Sequence, residues 1–213
     1  MTTTPRLKHP EDADIVFLTG TYQTLPNAAA LRTAPAAELD LGCGVGSFTT
    51  ALARRYPERL ILAADLMVGR VRKLAKRCRR ERVENVAILR TEARQLVAVA
   101  LPDAGLDRVH LLCPDPWPKG RHRGHRLLAS DFVAQLHRIL KPDGVFHFSS
   151  DDEYYSDAVS RLVGNSGLFA PIPPDPALAD IRSDFELRWN AVGKTVNHVC
   201  FRKLPLPAPA IGH

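Results

Sequence analysis

No apolar run in the chain approaches the roughly 20 residues that a helix needs to cross a bilayer. The opening stretch, Met1 to Asp14, is polar and has no apolar core of the kind a secretory signal carries. Together these argue against a membrane partner. Cysteine is scarce and scattered: Cys43, Cys78, Cys113 and Cys200 form no C-x-x-C pair. That spacing disfavours a thiol metal knuckle or a redox pair and fits reduced structural thiols in a cytoplasmic protein. The histidines also lack H-x-x-x-H spacing beside acid or thiol ligands, so no metal is expected. No internal repeat is visible.

What the chain does have is a regular alternation from about Ala37 to Gly167. Glu38 to Leu41, Leu60 to Ala64, Val86 to Leu89, Val109 to Cys113 and Val145 to Ser149 read as short strands. Amphipathic stretches lie between most of them. Val68, Val71, Leu74, Ala75 and Cys78 recur at helical spacing, and so do Phe132, Leu136, Ile139 and Leu140, which Lys141-Pro142-Asp143-Gly144 stops. Strand-helix repeats of this kind predict an α/β fold, a doubly wound parallel sheet with helices on both faces. The 213 residues suit one such domain, over 36–203. A partly ordered N-terminal arm (1–35) and a flexible C-terminal tail (204–213) would flank it. Thr195 to Lys203 reads as a last strand.

Right-handed crossovers bring the C-terminal ends of parallel strands to one edge, where open α/β sheets bind ligands. Asp40, Asp65, Glu92, Asp115 and Asp151 each fall at or just beyond a strand end and should therefore share one crevice. Singly, each also suits a turn or helix cap. After the first strand comes Asp40-Leu41-Gly42-Cys43-Gly44-Val45-Gly46. Three alternate glycines let the backbone turn tightly and approach a ligand. The dinucleotide fingerprint needs its third glycine at position 47, which is Ser47, so a nicotinamide or flavin cofactor is disfavoured.

The formal charge is +6, and its distribution matters more than its size. Arg70, Arg72, Lys73, Lys76, Arg77, Arg79, Arg80 and Arg82 crowd one helix, readable as a solvated face or as a polyanion surface. A second cluster, Lys119 to Arg126, follows Pro114-Asp115-Pro116-Trp117-Pro118 directly. The prolines fix where the Asp115 carboxylate points, Trp117 offers a flat face for a base, and the basic string can meet several phosphates. An acid, an aromatic and a basic string at a ligand-binding edge suggest an extruded nucleobase.

The D-x-G-x-G-x-G run resembles the first motif of class I S-adenosylmethionine-dependent methyltransferases. The run from Pro114 to Leu127, P-D-P-W-P-K-G-R-H-R-G-H-R-L, resembles the signature of the bacterial tRNA (guanine-N7)-methyltransferase family. Ser150-Asp151 and Ser183-Asp184-Phe185-Glu186 resemble two further motifs of that family. The likeness runs in order and spacing from about Glu38 to Lys203. It implies a mostly parallel, Rossmann-like, seven-stranded sheet whose last strand is antiparallel. It implies S-adenosylmethionine as cofactor and tRNA as partner. It also implies a cofactor site of Asp40, Gly42, Gly44, Gly46, Asp65, Glu92 and Asp115, with Asp115 catalytic. Lys119, Arg121, Asp151, Ser183, Asp184, Phe185 and Glu186 would contact the guanosine or its RNA. Asp40 and Asp65 stand where the family usually has glutamate, Ser183 where it has threonine, and Gly120, Gly124 and His125 where it has lysine or arginine. Three readings stay open beside this one. They are a methyltransferase acting on an exocyclic amine or a small molecule, a non-catalytic RNA-binding relative, and Ser183 with Glu186 as a plain helix start.

Overall fold

In the computed structural model the described residues are 9–20, 22–26, 28, 31, 34–115 and 128–206. A short turn of 3-10 helix, Pro10–Asp14, leads into β1 (Ile15–Phe17). Then follow β2 (Ala37–Leu41), α1 (Ser47–Arg55), β3 (Leu60–Asp65), α2 (Val68–Glu81) and β4 (Val86–Arg90). A short helix α3 (Ala93–Gln95) widens into a π turn over Leu96–Ala100, before β5 (Leu106–Leu112), α4 (Ser130–Ile139) and β6 (Leu140–Ser150). The chain closes with α5 (Glu153–Gly164), β7 (Phe169–Ile172), α6 (Asp184–Ala191) and β8 (Asn197–Lys203).

All eight strands form one sheet in the order β1-β4-β3-β2-β5-β6-β8-β7. Pairings from β1 through β6 are parallel, and β8 runs antiparallel to both β6 and β7. The sheet thus has eight strands rather than the expected seven. The surplus arises at its edges, where β1 extends the parallel side out of the stretch read as an arm. At the opposite edge β7 pairs with β8, and its Pro171 is tolerated because an edge strand can spare a ladder donor.

Side-chain alternation along the central strands sorts the two faces. Leu39, Leu41, Val109, Leu111, Phe146 and Phe148 join a core with Leu96, Val97, Phe132, Leu136 and Val159, under the π turn, α4 and α5. On the other face Ile61, Ala63 and Ile88 pack beneath α1 and α2 through Phe48, Leu52, Val71 and Leu74. There the alternate positions of β2, β5 and β6 carry Glu38, Asp40, His110 and His147, all buried. A polar seam therefore lies beneath α1 and α6, and buried polar groups must be hydrogen-bonded to be tolerated.

β6 begins with a bulge. Leu140 pairs with Leu106, but the next pair is Val145 with Arg108, so Lys141 to Gly144 are looped out. Asp143 there has φ +60. The Lys-Pro-Asp-Gly signal thus ends α4 as expected while the strand starts one residue after the helix.

Candidate active site

The chain leaves β2 outward through β3 to β4 and then returns to β5 on β2's other side. That reversal opens the sheet edge between the C-terminal ends of β2 and β5, the place where such sheets take ligands. Two adjoining clefts occupy it, of about 320 and 520 Å³. They share Leu41, Gly42, Ala93, Pro114 and Asp115 and so form one groove. Asp65, Thr91 and Glu92 line one half; Asp40, Gly44, Phe48, Asp184 and Phe185 line the other.

The glycine turn explains itself locally. Gly42, Gly44 and Gly46 all have positive φ, at +82, +59 and +87. The Gly42 and Cys43 amides both donate to the Ala64 carbonyl, which ties the turn to the end of β3. A side chain at Gly42 or Gly44 would point into open space, so those two keep the groove clear. Gly46 differs: a Cβ there would lie 2.2 Å from Leu74 Cδ1 of α2. Its bareness lets α1 and α2 close together.

Along the groove sit four acids with different surroundings. Asp40 is almost wholly buried at the base of the groove and accepts from the Thr49 hydroxyl at 2.5 Å. Burial pushes its carboxyl up to about 7, the Thr49 bond opposing and the charges of Asp65 and Asp184 reinforcing. Asp65, ending β3, accepts from the amides of Met67 at 2.8 Å and Gly44 at 3.2 Å and lies 3.4 Å from Arg70 Nη1. Glu92 caps α3 by accepting from the Gln95 amide at 2.7 Å. Asp115 stands exposed at the rim shared by both clefts, just after Cys113, which is in left-handed backbone at φ +47.

The far wall of the groove is the start of α6. Ser183 caps the helix by accepting from the Glu186 amide at 3.1 Å, so the helix-start reading holds for its hydroxyl even as the residue lines the groove. Asp184 accepts from the Ser47 amide at 3.0 Å and from its hydroxyl, pinning α6 to the glycine turn. Phe185 is 40% exposed and meets Trp189 edge-on. Glu186 faces away: it is 4% exposed, outside the groove lining, and bonds His198 and Arg182. Asp151 is exposed beyond the end of β6 and is also outside that lining. Lys119 and Arg121, with Trp117, lie outside the described residues.

Phe48, Arg70 and Arg188 also line the groove; Arg70 was singled out from the sequence only within the basic cluster, and the other two were not. Arg188 follows Asp184 by four residues, one helix turn, and that spacing was a signal available in the sequence. The basic face of α2 proves largely committed within the molecule. Arg72 makes a two-pronged pair with Asp12, at 2.7 and 2.8 Å; Arg79 pairs with Asp14, Lys76 with Glu11, and Arg80 with Glu81.

A glycine turn after β2, an acid closing β3, and a sheet that reverses between β2 and β5 fit a class I S-adenosylmethionine-dependent methyltransferase. Solved structures with this fold include the 16S rRNA methyltransferase KamB, with a TM-score of 0.63 at 17% identity over 86% of this chain and 96% of that one. The 16S rRNA (adenine(1408)-N(1))-methyltransferase of Catenulisporales acidiphilia, solved with its cosubstrate S-adenosylmethionine, gives 0.57 at 18% identity over 91% and 98%. Residues 35–199 match a family described as putative methyltransferase. A tRNA (guanine-N(7)-)-methyltransferase of Geobacter metallireducens is 33% identical over 83% of this chain and 86% of its own length. That of Syntrophotalea carbinolica is 35% identical over 78% and 74%. The chain belongs to the tRNA (guanine-N7)-methyltransferase family, and S-adenosylmethionine is its cofactor.

Proposed function

We propose that this enzyme transfers the methyl group of S-adenosylmethionine to N7 of a guanosine in tRNA. The carrying observation is the groove itself: one continuous trough with buried acids at its base and an exposed carboxylate, Asp115, at its rim. The relatives that share most of this chain's length act, by name, on guanine N7 of tRNA. A tRNA substrate would place the enzyme in the cytoplasm.

The residues fit the cofactor in size and chemistry. Gly42 and Gly44 leave room for it, Asp65 would accept its ribose hydroxyls, and Glu92 would lie towards its adenine. Asp40 would face its cationic amine. When bound, S-adenosylmethionine supplies an electrophilic methyl on a sulfonium. Guanine N7 carries an in-plane lone pair, so no residue has to remove a proton before attack. The protein's task is alignment, which is catalysis by proximity. As N7 gains its methyl the purine becomes cationic, and the Asp115 carboxylate stabilises that charge as it develops. Ser183, Asp184 and Phe185 form the wall against which the base or its ribose rests. Lys119 and Arg121 hold RNA phosphates, and Asp151 the guanosine from its own strand end.

The test is transfer of radiolabelled methyl from S-adenosylmethionine to unmodified bulk tRNA, followed by nucleoside analysis. Labelled 7-methylguanosine is the expected product. A label on an exocyclic amine or another ring nitrogen would overturn the assigned atom, and a protein that binds cofactor but labels no tRNA would overturn the substrate.

A further inference from the structure

The polar seam on the sheet face under α6 is a continuous chain of four contacts. Glu38 Oε2 lies 2.8 Å from His110 Nε2, and His110 Nδ1 lies 2.9 Å from His147 Nδ1. His147 Nε2 lies 2.9 Å from His198 Nδ1, and His198 Nε2 lies 3.1 Å from Glu186 Oε1. It runs from β2 through β5, β6 and β8 to α6. Every ring nitrogen of the three histidines is used.

Each contact at such a distance needs one proton between its two atoms, since two facing lone pairs repel and two facing N–H groups collide. Four contacts need four protons. Three neutral imidazoles supply three, because each carries one N–H. The carboxyl groups at the ends do not supply the fourth. Glu38 also accepts from Arg59, and Glu186 Oε1 lies 3.0 Å from Arg182 Nε, so each end already faces a cation that needs an acceptor there.

We propose that the chain carries this fourth proton on His198, and that the resulting imidazolium is a positioning residue that ties Glu186, and so α6, to the sheet behind the cofactor groove. His198 is the ring suited to it. His110 is fully buried and His147 is 5% exposed, and charging either would cost desolvation with no carboxylate beyond Glu38 to offset it. His198 keeps 21% of its side chain exposed and touches Glu186 directly. The other groups facing it, around a separate cavity on this side of the sheet, are His147 from β6, Arg182 ahead of α6, Arg108 of β5 with its partner Asp175, and Cys200 of β8. Arg108 is paired with Asp175 at 3.0 Å, so the Glu186 carboxylate is shared between His198 and Arg182.

The consequence reaches the cofactor through α6. Glu186 sits in the helix whose first turn carries Ser183, Asp184 and Phe185 into the groove, and Asp184 holds the glycine turn through Ser47. Losing the fourth proton leaves one of the four contacts without a hydrogen and frees that end of α6. The proton count stands by itself, whereas the effect on the groove rests on the cofactor reading above; the two fail in separate measurements.

The direct measurement is a long-range nitrogen–proton spectrum of the full chain labelled with 15N-histidine, which reports how many nitrogens each ring has protonated. At pH 7 His110 and His147 should each show one N–H, and His198 two. Three singly protonated rings would overturn the proposal. Glu186→Gln gives the second arm, because its amide N–H can donate to His198 Nε2 and complete the chain with three neutral rings. In that variant His198 should show one N–H. Cofactor affinity by calorimetry should weaken about fivefold more between pH 7 and 9 in the natural chain than in Glu186→Gln, the worth of about one hydrogen bond. The cofactor's own amine titrates alike in both, so only the difference counts. Equal curves would overturn the positioning role. If the variant does not fold, the histidine spectrum of the natural chain still decides the proton count.

Discussion

Among single residues, Asp40 offers the sharpest chemistry because its environment opposes its charge. Its carboxyl moves from an ordinary 3.8 to about 7, chiefly through burial. A carboxyl raised in this way keeps a proton that the unfolded chain has released, so it makes the apo protein less stable as pH rises from 3.8 towards 7, and the penalty is constant above that. The cofactor's cationic amine favours the ionised form. Affinity should therefore fall as pH drops below about 7, approaching tenfold per unit, while Asp40→Asn should be weak and flat across that range. Calorimetry between pH 5 and 8 checks this, and a flat natural curve would remove Asp40 from the amine site. Neighbouring glycines should separate in a different way. Gly46→Ala forces a methyl against the fully buried Leu74 at positive φ and should cost about 2–4 kcal/mol of stability. Gly44→Ala meets no atom, so its main loss should be cofactor affinity, with a stability cost near 1 kcal/mol. Denaturant melts alongside cofactor titrations distinguish the two. Asp115→Ala, at an exposed rim position, should leave the melt unchanged and abolish methyl transfer; near-normal turnover would remove Asp115 from the chemistry.

Elements with strong periodicity were legible in the sequence, and those that depend on distant partners were not. The glycine turn, α2 and the five strands β2 to β6 declare themselves through spacing. β1 is three residues long, and its pairing with β4, the packing of Ile15 under α2 and the clamp of α2 hold it. No local pattern reveals that. In the same way the basic face of α2 reads ambiguously until Glu11, Asp12 and Asp14 are seen docked on it. Glu186 carries a family motif, yet its position in the chain says nothing of the histidines it meets from another strand. The α2 clamp makes a prediction at this scale. Replacing Asp12 and Asp14 by alanine should speed hydrogen exchange at the Ile15 to Phe17 amides, with little change at β3. Half-molar salt should do part of the same in the natural chain, since these pairs are partly solvated. Unchanged exchange in β1 would mean that sheet pairing alone retains it.

For the whole molecule the question is which positive charges face RNA. A net charge of +6 invites the answer that all of them do, with α2 foremost. The structure argues otherwise, because most α2 cations already have carboxylate partners, and a paired cation releases fewer counterions when phosphate arrives. Lys73 and Arg82 are the α2-region cations without an ion pair among the described residues. That leaves the run from Lys119 to Arg126, directly after Asp115, as the main candidate for phosphate contact. Its glycines at 120 and 124 mean fewer contacts than the family's usual lysines and arginines would make. Changing Lys119, Arg121 and Arg123 together to alanine should lower the slope of log affinity against log salt by about 2–3 units, roughly one per cation. Changing Lys76 and Arg80 together, both already paired with carboxylates, should lower it by less than about one unit. Filter binding of tRNA over a salt series gives both slopes. A larger drop from the α2 pair would mean that RNA displaces the acidic clamp and lies along that helix, which would move the substrate path to the other side of the groove.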